Sequence, residues 1–517
     1  MIMAFADFHG RAATSASQIL QGFDTGAFDE ALLGHLVCIA FDGVAASSSE
    51  GRATIDMVIR LLARLHPRLS VVALDPGAGS VAAQAVAIAT AINPAIEIRR
   101  DLDGAGSCIV VGMTRPASDA PAFFVGSDGW TAKLSRSGPV VSGSGAVPFG
   151  AGTAACLAAA NVFRLVFGDQ LEGGSCDRDL SLSTLTFAHG HVDPPADLAT
   201  ETLDLGALHL IGLGAIGNGV IWALARTGTI VGTLHLIDHD VVDLSNLQRY
   251  ALACRRDEGR VKVELALEAL AGSGLRAVPH QATFARYIDA TPRPRLDVVA
   301  TALDTAEDRI AVQAALPGWV ANAWTQPSDL GVSRHRFGDG GPCLACLYMP
   351  VGKTKDEDEL VSEELSMPEA LLEIRRLLQA QEPVGEGFLR RAAAAMNVEA
   401  EPLLSFSDKP LREFRQSAIC GGLVMRLSDG RRTAPAIVPM PFQSALAGIL
   451  LAAELVRHAA GIALPTSAIH RINLLRPLGT HLRDPRAKNA SQRCLCADPD
   501  FVDVFKNRHG AVDLTPA

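Results

Sequence analysis

The sequence predicts an α/β protein with two Rossmann-like lobes, the second carrying a small helical insertion. Three observations carry that reading. Strand-length apolar runs alternate with helical patterns twice, once from His35 and again from Leu208. A Pro-Phe, Ala-rich, Arg-terminated segment closes each alternating region, at 148–164 and at 441–457, which points to a duplication. A glycine turn of G-x-G-x-x-G spacing follows the first strand of the second region, whereas Asp42 and the run GVAASSS stand there in the first.

Bulk properties narrow the class. A chain of 517 residues is too long for one core. The net charge of −10 argues against general nucleic-acid binding. The sequence reads as having no apolar run of membrane-spanning length and no signal-peptide pattern, so no membrane partner is expected. Ten cysteines without a disulfide framework fit a reducing cytoplasm.

Taken in order, residues 1–180 read as the first lobe, after a short helical lead-in containing Arg11, which reads as a solvated surface arginine. Strands are expected at Leu36–Phe41, Leu69–Leu74 and Cys108–Gly112, with a helix over Ala53–Leu65. Residues 181–206 read as a linker with a strand-like stretch at Ser183–Phe187. Residues 207–350 form the nucleotide-binding part of the second lobe, 351–425 a helical insertion opening on a charged, solvated run, and 426–517 the remainder of the lobe and a tail.

The second lobe carries the chemistry. The strand Leu208–Ile211 enters the turn of Gly212, Gly214 and Gly217, a helix spans Ala215–Arg226, and the strand Thr233–Ile237 ends at Asp238. This is the order of a nucleotide-binding βαβ unit. The glycines let backbone approach phosphate, the helix N-terminus offers free N–H groups, and Asp238 is placed to accept from ribose hydroxyls. By itself the turn suits a dinucleotide as readily as ATP. Asp240, Asn246, Arg249 and Lys262 follow. An arginine and a lysine converging on the phosphates suit cleavage of the α–β bond of ATP, where pyrophosphate and the α-phosphorus need fixed positive charge.

The run D-x-D-x-V-x-x-S-N-L-x-R from Asp238 to Arg249, with Lys262 beyond it and Asp304 followed by Arg309, resembles the ubiquitin-activating-enzyme superfamily (ThiF/MoeB/HesA). The resemblance is strong over Leu205–Phe337 and looser to Gly461. It implies two adenylation-type lobes, an inactive N-terminal one and an active C-terminal one. It implies that Asp238 holds the ribose, that Asn246, Arg249 and Lys262 hold the phosphates of ATP, and that Asp304 holds Mg²⁺. An arginine near the N-terminus of one lobe reaches the ATP of the other in that superfamily, which singles out Arg11.

The cysteines divide into two sets. Cys343 and Cys346 fall where the superfamily often has the first half of a zinc site, and Cys494 and Cys496 offer a second half. Four thiolates suit structural Zn²⁺, and reduced, partly buried cysteines are the other reading. Cys420, beside Gly421 and Gly422 at the end of the insertion, falls where ubiquitin-activating enzymes carry a nucleophile. A small buried cysteine is the other reading there, and Cys254 is the second candidate.

The activity implied is ATP-dependent adenylation of the C-terminus of a ubiquitin-like protein, thioester formation on Cys420 and transfer to a ubiquitin-conjugating-like enzyme, in a cytoplasmic protein for which a homodimer is an open alternative. The layout resembles BilD-like activating enzymes of bacterial antiphage conjugation systems. A sulfur-carrier adenylyltransferase without a thioester step, an NAD-dependent oxidoreductase and a non-catalytic scaffold remain open alternatives.

Overall fold

The computed structural model describes residues 4–190, 192, 202–228, 230–291, 295–349, 356–420, 438–462, 464–479, 482–489 and 493–510, without the side chains of 416, 419 and 420. Two compact units form. One comprises Met1–His9, Ala31–Met349 and Pro439–Ala517, and the other Gly10–Glu30 and Pro350–Val438.

The chain opens with helices α1 (His9–Ser17) and α2 (Thr25–Gly34). The first lobe follows as β1 (Val37–Phe41), α3 (Gly43–Ser47), α4 (Ser49–Leu62), β2 (Arg68–Ala73), α5 (Gly79–Ile92), β3 (Glu97–Arg99), β4 (Ser107–Val111), β5 (Ala122–Asp128), β6 (Thr131–Ser135), α6 (Phe149–Phe167) and β7 (Leu180–Ser183). Ser48 starts α4 by accepting from Gly51 N, so this helix begins before the expected Ala53. The strand expected at Ser183–Phe187 lies instead at Leu180–Ser183, because Phe187 takes a left-handed φ of 61° and closes a turn.

The second lobe runs β8 (Leu203–Ile211), α7 (Ala215–Leu224), β9 (Ile230–Ile237), α8 (Lys262–Ala269), β10 (Leu275–His280), α9 (Phe284–Ala290), β11 (Val298–Thr301), α10 (Ala306–Ala314), β12 (Trp319–Thr325), β13 (Leu330–His335) and α11 (Leu344–Tyr348). After the insertion, with helices α12 (Glu357–Glu364), α13 (Leu371–Ala380), α14 (Gly385–Met396) and α15 (Leu411–Phe414), it resumes with α16 (Pro441–Ala459), β14 (Ala468–Ile472), β15 (Arg483–Pro485) and α17 (Pro499–His509).

The two sheets share one design. Their orders are β3-β2-β1-β4-β5-β6-β7 and β10-β9-β8-β11-β12-β13-β14-β15. In each, the first five strands are parallel and the following ones antiparallel. Parallel strands need helices over both faces, which accounts for their nearly continuous apolar sequence.

The repeated Pro-Phe segments become α6 and α16, which pack together, with Phe163 5.9 Å from Phe442. Their terminal arginines are both buried. Arg164 pairs with Asp177, and Arg457 donates to the carbonyls of Thr184 and Leu185. Helices α7 and α16 meet at backbone distance. A Cβ at Gly448 would stand 2.2 Å from the Ile216 carbonyl, and one at Gly219 would stand 2.8 Å from that of Ala445. The sequence reading found no apolar run of membrane-spanning length. The segment Phe149–Gln170 does meet that length and composition, and 89% of its apolar window is buried inside the molecule, as expected of a core helix.

The smaller unit is helical. Val361, Leu365, Ile374, Leu377, Phe388, Leu389, Leu411 and Phe414 form its core. The charged run was expected to be a solvated face, yet Asp358 is buried and pairs with Arg375, and Glu357 pairs with Arg412 at 2.7 Å. Ser15 on α1 donates to the Val438 carbonyl at 2.7 Å, which ties the N-terminal segment to the end of the insertion. Arg11 is half-buried rather than freely solvated.

Candidate nucleotide-binding site and cysteine centre

The glycine turn sits where β8 passes into α7. Gly212 has φ 92°, and a Cβ there would lie 2.5 Å from the Ala302 carbonyl, so glycine is required on both counts. Gly217 permits equally close packing, since its Cβ would lie 2.4 Å from the Gly212 carbonyl. Gly214 precedes α7 and supplies no side-chain cap, which leaves the first N–H groups of the helix for a ligand. Asp238, 8% exposed at the end of β9, accepts from Leu213 N at 2.7 Å and Asp240 N at 2.9 Å. Its carboxylate thereby fixes both the turn and the segment that follows it.

The charged residues gather around Tyr250, which sequence reasoning missed although it directly follows Arg249. Its buried ring lies 5.9 Å from the Arg249 guanidinium carbon and 5.6 Å from Lys262 Nζ. Burial raises the phenol's pKa, opposed by Lys262 and Arg249, while Asp304 pushes in the same direction as burial. Lys262 is 8% exposed and donates to Asp240 at 2.7 Å. Burial disfavours its ammonium, but Tyr250, Asp238 and Asp240 outweigh that and raise its pKa, so it is charged at neutral pH. Nη1 of Arg249 is buried and makes no hydrogen bond among the described residues, which suits an anion. Asn246 accepts from Asp243 N at 3.0 Å and shapes the turn before Arg249. Asp304 is exposed on the loop after β11, a loop held by the buried Arg309 through the carbonyls of Leu303 and Thr305.

In the first lobe the corresponding turn after β1 is closed. Asp42, 2% exposed, occupies the turn after β1 and accepts from Ala45 N at 2.9 Å, Met113 N at 2.7 Å and Thr114 N at 2.9 Å. Asp75 at the end of β2 accepts from Gly43 N at 2.7 Å. The N–H groups that would meet a phosphate are taken by the protein's own carboxylates.

Cys343, Cys346, Cys494 and Cys496 converge. Sγ–Sγ distances are 3.8 Å for 343–346 and 3.4 Å for 343–494, 346–494 and 346–496. A disulfide would need about 2.05 Å. Four sulfurs at about 2.3 Å from one tetrahedral Zn²⁺ would stand roughly 3.8 Å apart, so the donor set and its spacing fit zinc. The tail is anchored beside them, with His509 of α17 at 2.9 Å from the Leu316 carbonyl.

Cys420 closes the helical turn Arg415–Cys420. Its side chain, and Gly421 and Gly422 beside it, lie outside the described residues. Cys254 is half-buried, and its thiol donates to Asp257 at 2.9 Å. Burial and Asp257 raise its pKa, which suits a nucleophile poorly.

A mixed, mostly parallel sheet with an uncapped glycine turn, facing cations and a carboxylate-bearing loop, is the arrangement of a nucleotide-binding α/β protein. The chain belongs to the ThiF family, whose model matches residues 196–496. A model described as Prokaryotic E2 family C matches residues 40–168, the span of β1 to α6. Over 98% of both chains it is 51% identical to the Uncharacterized protein y4jF of Sinorhizobium fredii (strain NBRC 101917 / NGR234). It is 32% identical to the Adenylyltransferase and sulfurtransferase MOCS3 of Danio rerio over 27% of this chain, and the match spans about a third of that relative, 31%. The crystal structure of E. coli MccB with MccA-N7isoASN aligns with TM-score 0.35 and 16% identity, over 55% of this chain and 65% of that one.

Proposed function

We propose that the chain activates a ubiquitin-like protein with a free C-terminus. The observation that carries this is the grouping of Arg249, Lys262 and Tyr250 beside the uncapped N-terminus of α7, with Asp304 acting on Tyr250 and with Arg249 Nη1 unpaired among the described residues. The turn Gly212–Gly217 and the helix receive the phosphates, and Asp238, Asp240 and Asn246 order the segment around the nucleotide. The C-terminal carboxylate attacks the α-phosphorus of ATP, the α–β phosphoanhydride breaks, and pyrophosphate leaves against Arg249 and Lys262. Asp304 is the residue to hold Mg²⁺, which would neutralise phosphate charge. The Cys420 thiolate then attacks the acyl carbon, AMP leaves, and a thioester remains for a conjugating enzyme, the plan of a BilD-like antiphage system.

The first lobe acts as the inactive partner. Within the stretch matched by the Prokaryotic E2 family C model, Cys108 and Cys156 are fully buried, and burial raises the Cys156 thiol further, so neither is placed as an acyl carrier. The four clustered cysteines hold a structural Zn²⁺ that pins the tail.

The test is a non-reducing gel of wild type and Cys420→Ala with ATP·Mg²⁺ and the ubiquitin-like protein encoded beside this one. A thiol-sensitive adduct in wild type alone is expected, with pyrophosphate exchange in both. Exchange in both without any adduct would place the end of the reaction at the adenylate, as in sulfur-carrier adenylyltransferases. No exchange at all would favour a scaffold.

A further inference from the structure

Asp56, Arg60 and Arg64 stand at four-residue spacing along one face of α4 and its C-terminal extension. That face is turned toward the second lobe. Asp56 accepts from Trp222 Nε1 at 2.7 Å and from Arg226 Nη2 at 3.0 Å, which joins α4 to α7. Arg60, held by Asp56, donates to the Ala251 carbonyl at 3.1 Å. Arg64 donates through Nη2 to the carbonyls of both Tyr250 and Ala253. Two guanidinium groups of the first lobe thus satisfy three carbonyls of one loop in the second.

That loop lies between Arg249 and Lys262, and its first residue is the tyrosine around which both cations stand. Its other side is fixed by Leu252 N, which donates to Asn218 Oδ1 of α7 at 3.1 Å. Arg64 is 1% exposed, and burial pushes it down to about 9, still charged at neutral pH. A buried guanidinium needs hydrogen bonds, and here Nη1 finds the Arg60 carbonyl at 2.6 Å and Nη2 the two loop carbonyls, while Nε has no partner among the described residues, so the position of the group and that of the loop are mutually fixed. Without the arginines, the carbonyls of Ala251 and Ala253 would need water that a buried seam does not admit, and that of Tyr250 would keep only the Ala253 N–H at 3.1 Å.

We infer that Arg64, with Arg60 beside it, is a positioning residue for the nucleotide site: the first lobe sets the loop that begins at Tyr250, directly after Arg249. This rests on the nucleotide reading of the second lobe. Displacement of the loop by an ångström would misplace Arg249 relative to phosphate without removing any ligand-contacting group.

The experiment compares full-length wild type, Arg64→Lys and Arg226→Gln. Arg226→Gln removes an interlobe ion pair away from the loop and serves as the structural control. ATP·Mg²⁺ affinity is measured by calorimetry, amide exchange by mass spectrometry, and melting alongside. Arg64→Lys is expected to bind ATP·Mg²⁺ about tenfold more weakly, with faster exchange at Leu252 and Ala253. Arg226→Gln should bind as wild type with those amides unchanged, even where it melts lower. Wild-type affinity and exchange in Arg64→Lys would overturn the assignment, as would equal weakening in both variants. Should Arg64→Lys fail to fold, Arg60→Met, which removes the Ala251 contact and the pair with Asp56 while leaving Arg64 in place, is expected to show the same pattern at roughly threefold, and wild-type affinity there overturns it. Absence of ATP·Mg²⁺ binding by wild type would instead refute the nucleotide reading itself, and this assignment with it.

Discussion

Lys262 Nζ lies 2.7 Å from Asp240 Oδ2 and 3.9 Å from Asp238 Oδ1. The ammonium is therefore held at the C-terminal edge of the sheet, between two carboxylates and the ring of Tyr250. Replacing it with methionine keeps the stem and removes the charge. Lys262→Met is expected to lower pyrophosphate exchange at least about 100-fold, with melting within a few degrees of wild type. Wild-type exchange would exclude Lys262 from phosphate contact.

Gly212 supplies a second test. Alanine there takes a left-handed φ, costing roughly 1–2 kcal/mol, and brings a Cβ to 2.5 Å from the Ala302 carbonyl. Gly212→Ala should lower thermal stability and weaken ATP binding together. Gly214→Ala, whose Cβ meets nothing closer than the Tyr250 hydroxyl at 3.5 Å, should leave the melting temperature nearly unchanged.

The cysteine centre predicts a metal content. Elemental analysis of the purified protein should give about one zinc per chain, and Cys346→Ser should reduce that ratio toward zero. Melting should fall by roughly 1 °C for each kcal/mol lost. Zinc-free wild type of unchanged stability would return the four thiols to ordinary core packing.

The second sheet predicts acid sensitivity. His209 and His235 stack at 4.6 Å, and His235 Nδ1 lies 2.9 Å from His280 Nε2. Burial lowers all three, His209 to about 4, with His235 adding to its shift. The unfolded chain takes up protons near pH 6.5 while the folded chain does not, so stability is full above that pH and falls as pH drops toward 4. Urea midpoints between pH 7.5 and 5 should decrease, and His209→Gln should flatten that slope. A slope unchanged by His209→Gln would remove this histidine from the account.

That the glycine turn, Asp238, Arg249 and Lys262 lie together was legible because a βαβ unit is local: neighbours in sequence form the candidate site, and each residue type has a separate physical reason to be there. The repeated helix was legible too, through its shared Pro-Phe start and terminal arginine. What escaped was set by distance along the chain. Arg64 reaches a carbonyl 186 residues away, and nothing in the run around it distinguishes it from any helical arginine. Ser15 meets Val438 across 423 residues, so the N-terminal helix read as a lead-in instead of part of the helical unit. The antiparallel strands β6 and β13, with the sequences TAKLS and LGVSRH, lacked the apolar continuity that marks the parallel ones. Cys420 was read from its glycine neighbours and a family pattern, and its side chain lies outside the described residues.

The packing of α6 against α16 unites two lobes of a single polypeptide. Where two separate subunits must meet to complete a site, dilution empties it. Here the encounter is intramolecular, and the local concentration of one lobe for the other is fixed by covalent connection. Adenylation per chain should consequently hold constant across serial dilution, and a cell making few copies of the protein would lose none of its specific activity to dissociation of the lobes.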